Sequence, residues 1–306
     1  MTLAALPAGE AARRMADAGL SLRLPPITVR LRSPLPAFAA QIAALYADSE
    51  VADSAEYADV DLRLEPVRGL RRPHRVHVQF VVDGVTPFES FPVAHALPMF
   101  EWGLNWIFSH RMHDHLLLHA AAVARDGRAL LLPAWPGSGK STLAASLMCR
   151  GWRLLSDEFG VVSLADGRVQ PFVRPAGLKN ASIDVMRAFA PSAFIGPLFA
   201  ATRKGDVAHL RADAASVRRG AEPAEAAAIV FPDFQAGEPV TVRPLEPSTA
   251  FLKLAGNAFN YEVVGEQGFR AVTSLVRRAP AHILRYGDLA QAHAAIDDLL
   301  RMEARA

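Results

Sequence analysis

Apolar and polar positions along this chain change period several times, and each change marks an element. From Ile27 the run Ile-Thr-Val-Arg-Leu-Arg alternates, the pattern of a half-buried strand, and the Ala-rich stretch 36–46 after it predicts a short helix. Alternation returns at 60–64 and 75–82, with Asp83-Gly84 as a turn. Over 94–112, Leu97, Phe100, Leu104, Ile107 and Phe108 recur at near-helical spacing beside Trp102 and Trp106, a core-packing stripe on a helix that joins two halves of the chain. A strand is predicted at 116–124, a hairpin turn at Arg125-Asp-Gly-Arg128, and a returning strand at 130–133. With Asp126 and Gly127 central, paired positions sum to 253, which sets His119 opposite Ala134.

Further on, 152–155 reads as a strand and 159–172 as a hairpin turning at Asp166-Gly167. Strands are expected at 226–231 and 240–243, and helices at 247–257 and 268–277. The closing helix, 289–302, carries Ala292, Ile296, Leu299 and Leu300 on one side. Arg174 to Lys179 reads as a Pro/Gly-punctuated loop. Residues 200–225, with Arg203, Lys204, Arg211, Arg218 and Arg219 among small and polar residues, read as a mobile or substrate-facing segment. The expected organisation is a small α+β domain over 1–112, followed over 113–306 by an α/β domain with a mixed sheet and flanking helices.

Composition narrows the function classes. A chain of 306 residues that is 51% hydrophobic can bury a substantial core. Its 33 basic and 31 acidic residues leave a formal charge of +2, so charge gives no argument for a nucleic-acid or membrane partner. A single cysteine, Cys149, excludes an intramolecular disulfide and reads as a buried thiol. Pro7, Glu10, Arg13 and Arg14 break up the first 25 residues, so no signal peptide is expected, and no apolar run approaches a membrane span. The expected location is cytoplasmic.

The chemistry concentrates in Ala134-Trp-Pro-Gly-Ser-Gly-Lys-Ser-Thr142, which follows an apolar strand and leads into a helix. That is the context of a phosphate-binding loop: Gly137 and Gly139 let successive N–H groups converge on phosphate oxygens at a helix N-terminus. The backbone of Gly137, Ser138, Gly139, Lys140, Ser141 and Thr142 would then cradle the anion, with Lys140 reaching the outer phosphates and the Ser141 hydroxyl reaching Mg²⁺. Ala134 stands where the usual pattern has Gly. Only four of the 33 basic residues are lysines, so a lysine here is a choice rather than the default cation.

Two further groups join the loop. A strand, helix, strand unit ends both strands on one sheet edge, so Asp157 and Glu158, closing the strand after the loop helix, should emerge beside the phosphate site. One carboxylate can hold a metal while the other accepts a hydroxyl proton. The histidines His110, His113, His115 and His119 suggest a zinc site, but only Asp114 accompanies them, so a closed site is not expected. His119 stands apart through its register beside the loop, with a core histidine as the alternative reading. Arg174 and Lys179 are either a clamp for a phosphate or acidic substrate or ordinary surface charges.

These residues resemble the HPr kinase/phosphorylase group and its HPr-related kinase relatives. The order Leu118-His119-Ala120, then Gly137-Ser138-Gly139-Lys140-Ser141, then Gly151-Trp-Arg-Leu-Leu-Ser-Asp157-Glu158 carries the resemblance, which extends over about 116–260. It implies a P-loop kinase core related to phosphoenolpyruvate carboxykinase, with ATP and Mg²⁺ as cofactors. It implies that Lys140 and the loop hold the phosphates, that Ser141 and the acids Asp157 and Glu158 serve the metal, and that Asp157 takes the proton of a seryl hydroxyl with His119 tuning it. Glu158 replaces the family's second Asp. The expected acceptor is a protein or peptide, and oligomers are common in the family, so a homo-oligomer is also expected. A small-molecule hydroxyl kinase and a nucleotide-sensing module that transfers nothing are the alternatives.

Overall fold

The alternation at 27–32 and 60–64 buries Val29, Leu31, Leu62 and Leu64 and leaves the residues between them half or fully open. Our computed structural model describes residues 1–53, 55–69, 72–135 and 137–303; Pro136, inside the glycine loop, lies outside them. The fold is mixed α/β, with mixed sheets flanked by helices. It divides into two compact units: Met1–Phe108 with Val173–Asp184 and Ser192–Gly220, and Ser109–Phe172 with Val185–Pro191 and Ala221–Ala306.

The first unit opens with β1 (Leu20–Leu24), β2 (Ile27–Arg32), β3 (Glu50–Val51), β4 (Val60–Gly69), β5 (Arg72–Val82) and β6 (Phe91–Pro92), in the order β3-β1-β2-β4-β5-β6. Within it β2 and β4 run parallel and the other neighbours antiparallel. Helices α1 (Glu10–Ala16), α2 (Pro36–Leu45) and α3 (Ala96–Arg111) accompany the sheet, and the Phe38 and Phe100 rings of α2 and α3 meet edge-on at 5.6 Å. A Cβ at Gly103 would lie 2.0 Å from the Phe80 ring, so α3 approaches the sheet this closely only because that position has no side chain.

The chain then enters the second unit with β7 (His115–Arg125), β8 (Arg128–Pro133), α4 (Lys140–Cys149), β9 (Arg153–Ser156), β10 (Phe159–Ser163) and β11 (Val169–Gln170). Cys149 is exposed rather than buried, because it closes α4 where the helix ends in the Arg150-Gly151 turn.

Next come β12 (Ala176–Lys179), α5 (Ala181–Phe189), β13 (Phe199–Thr202), β14 (Gly205–Leu210) and α6 (Ala214–Arg218). The three strands form a separate sheet, β12-β14-β13, that belongs to the first unit. Where a loop is expected at 174–179, residues 176–179 form β12, and the segment 200–225 carries the end of β13, β14 and α6, with Val207, Ala208 and Leu210 buried, Arg203 and Lys204 in the β13–β14 turn and Arg218 on α6.

On β14, His209 is 3% exposed, and its pKa is lowered to about 3 by burial first, then by the positive charges of Arg174 and Lys179. Folding therefore favours its neutral form, and the unfolded chain binds the extra proton below pH 6.5. The stabilisation is complete above pH 6.5 and is lost as pH falls towards 3, by about 1.4 kcal/mol per pH unit. Urea unfolding of His209→Gln should lack this slope between pH 6.5 and 4.5. An identical slope in both proteins would exclude His209 as its source.

The second unit is completed by β15 (Glu225–Phe234), β16 (Thr241–Leu245), α7 (Pro247–Ala255), α8 (Tyr261–Arg278), β17 (Ala281–Tyr286) and α9 (Leu289–Glu303). Its sheet runs β11-β10-β7-β8-β15-β17-β16, with β9 also on β7, and β8, β15 and β17 are mutually parallel. Leu116, Leu118, Ala120, Ala122 and Ala124 of β7 share a core with Ala250 and Leu254 of α7 and Val272 and Leu275 of α8. The alternate residues Leu117, Ala121 and Val123 are buried as well, which is why this strand reads as a continuous apolar run.

Candidate active site

Three parallel strands of the second unit reach one edge of its sheet at Pro133, Phe234 and Tyr286. Both β8 and β9 run antiparallel to β7, so β9 ends at the same edge, with Asp157 and Glu158 following it. The expected register sum holds from Ala120–Pro133 to Arg125–Arg128, and the Ala134 N–H donates to the His119 carbonyl at 3.3 Å.

The glycine loop lies among these ends. Gly137 and Gly139 have φ of +92° and +88°, a conformation that penalises any Cβ. Gly139 is also confined by its surroundings, since a Cβ there would lie 2.4 Å from the Tyr286 hydroxyl and 2.9 Å from the Phe234 Cβ. The Phe234 N–H donates to the Ser138 carbonyl at 3.1 Å, and the Tyr286 hydroxyl donates to the Gly139 carbonyl at 3.4 Å. Burial pushes the Tyr286 phenol well up, which keeps that donor protonated. A Cβ at Gly137, in contrast, would meet nothing within 4 Å. The loop is thus braced from β15 and β17 and open at Gly137.

The acids follow from a tight turn. Ser156 Oγ accepts from the N–H groups of Glu158 at 3.3 Å and Phe159 at 3.1 Å, which fixes the step from β9 to β10. Asp157 is buried within it. The Glu158 carboxylate lies between Lys140 and His119, with Oε2 3.9 Å from Lys140 Nζ and Oε1 3.7 Å from His119 Nε2. Lys140 is only 7% exposed, so this carboxylate is its screening charge in a largely dry setting. Ser141 and Thr142 occupy the first turn of α4, where backbone N–H groups have no acceptor within the helix.

The helix expected at 247–257 ends at Ala255, and His119 is held from the turn that follows it. Its carbonyl accepts from Asn257 Nδ2 at 2.9 Å, and its N–H donates to the Asn257 carbonyl at 2.8 Å. Asn260 Oδ1 accepts from the Leu117 N–H at 2.9 Å, while its Nδ2 donates to the carbonyls of Met112 and His115. Between the two asparagines, the Phe259 ring packs 5.4 Å from His119 and 5.0 Å from Phe159.

No family model and no curated protein matches this chain.

What the site can bind follows from its donors. The buried Ser138 Oγ has no hydrogen-bond partner among the described residues, and an anion's oxygen in the loop would supply one. Among the described residues no three His, Cys, Asp or Glu side chains group as metal ligands. Two carboxylates suit Mg²⁺, which takes one or two of them and completes its shell with phosphate oxygens and waters. Arg174 and Lys179 belong to the first unit. Arg174 is buried there, 3.1 Å from Glu101 Oε2 and hydrogen-bonded to Asn105, and Glu101 also accepts from the Tyr46 hydroxyl at 2.7 Å. No described helix is long and apolar enough to cross a membrane.

Proposed function

We propose that this chain is an ATP-dependent kinase of the HPr kinase-like type, with a P-loop core, that phosphorylates a hydroxyl on a protein or peptide serine. The observation that carries the reading is the Lys140, Glu158, His119 chain beside a glycine loop that opens a helix. In this reading the loop N–H groups and Lys140 bind the β- and γ-phosphates, and the Ser141 hydroxyl and the Glu158 carboxylate would hold Mg²⁺. The ion, when bound with the phosphates, neutralises the charge that develops on their oxygens. Asp157 takes the acceptor's hydroxyl proton as the new O–P bond forms in line with the breaking bond to the β-phosphate oxygen, and ADP leaves. Glu158 keeps Lys140 and His119 in place, and Asn257 holds the His119 backbone.

The test supplies γ-labelled ATP, Mg²⁺ and a lysate of the host to the protein and to Lys140→Ala. Label on a protein or peptide serine, absent with the variant, is the expected result. Label on a small molecule would replace the acceptor class, and nucleotide binding without any Lys140-dependent transfer would favour a sensing module.

A further inference from the structure

The phosphate loop has two unlike sides. Towards β7 lie His119, Glu158 and the proton-transfer groups. Towards β15 and β17 lie two aromatic side chains and no catalytic group: Phe234, which is 42% exposed, and Tyr286, which is buried. Phe234 is an unusual exposed aromatic because almost everything about it is fixed. Its N–H is tied to Ser138, the next residue's N–H donates to the Tyr286 carbonyl at 2.8 Å, and its ring meets Tyr286 edge-on at 5.5 Å. Its Cβ backs Gly139, while much of the ring remains open to solvent. A rigid aromatic face held at a binding site costs little entropy to use.

We infer that the Phe234 ring is the stacking platform for the nucleobase of the bound triphosphate. This rests on the kinase reading and deepens it. The γ-phosphate end must face the acids on the β7 side, so the base leaves on the other side, where Phe234 offers a fixed, exposed π-face. Stacking accepts any base, so the platform adds affinity for nucleotides over bare phosphates without itself selecting adenine.

The substitution Phe234→Ala isolates the ring, because alanine keeps both the N–H that holds Ser138 and the Cβ that backs Gly139. Calorimetry with Mg²⁺ would compare ATP and inorganic tripolyphosphate on the full chain, on Phe234→Ala and on Phe234→Trp. The expected result is a loss of about tenfold in ATP affinity for Phe234→Ala, unchanged tripolyphosphate affinity, and ATP affinity retained in Phe234→Trp. Unchanged ATP affinity in Phe234→Ala would overturn the inference. Equal loss for both probes would also overturn it, since the ring would then serve the loop and not the base. Failure of the unaltered protein to bind either probe would overturn the nucleotide reading and the platform with it.

Discussion

Replacing Asp157 with Asn should lower phosphoryl transfer by about a thousandfold and leave ATP binding nearly unchanged. Asn matches Asp in shape, and the turn that carries it is fixed by Ser156 Oγ, which accepts from the N–H groups of Glu158 and Phe159, so the local geometry should survive. What disappears is a proton acceptor at a buried position, where bulk water is a poor substitute. Single-turnover transfer from γ-labelled ATP, set against calorimetric ATP binding, separates the two effects. Equal loss of both would show that position 157 serves nucleotide or metal binding, and the base would have to be sought elsewhere.

The largest stability effect is expected far from that chemistry, at Glu101. Its carboxylate is buried with Arg174 at 3.1 Å and also accepts from Tyr46. Glu101→Leu would leave a buried guanidinium without its counter-charge and a buried hydroxyl without its acceptor, and should cost about 3–5 kcal/mol in urea unfolding. Adding Arg174→Met should recover much of that loss, because the uncompensated charge then goes too. A phosphate-clamp role for Arg174 would show instead as weakened nucleotide affinity in Arg174→Met. Recovery in the double variant and weakened nucleotide binding are separate readouts, so the two roles are distinguishable.

Local pattern was enough for the elements whose neighbours in sequence are also their neighbours in space. The turn at Asp126-Gly127 fixed the β7–β8 register, and with it the place of His119 beside Ala134. The loop glycines declared themselves because their backbone conformation excludes other residues. Long-range partners left no such trace. Arg174 sits beside Pro175 and near Gly177, which suggests an open loop, but its partner Glu101 lies on α3. The run Ala281–Tyr286 is short and lies between two helices, so the pattern gave no hint that β17 would run parallel beside β15 and brace Gly139. The start of α8 at Tyr261 was hidden by Gly265, whose φ of +55° interrupts the helix. Asn257, expected at the end of a helix, and Asn260 carried no sign of a role at the site, and only the fold brings their amides to β7.

The make-up of the first unit bears on how the chain is born. Its last strands, β12 to β14, emerge from the ribosome only after all of β7 to β11 has been made. At ordinary rates of synthesis, Met1–Phe108 waits on the order of ten seconds for Ser192–Gly220. During that interval the nascent amino-terminal segment is unfinished, and a chain cut at 112 would remain so.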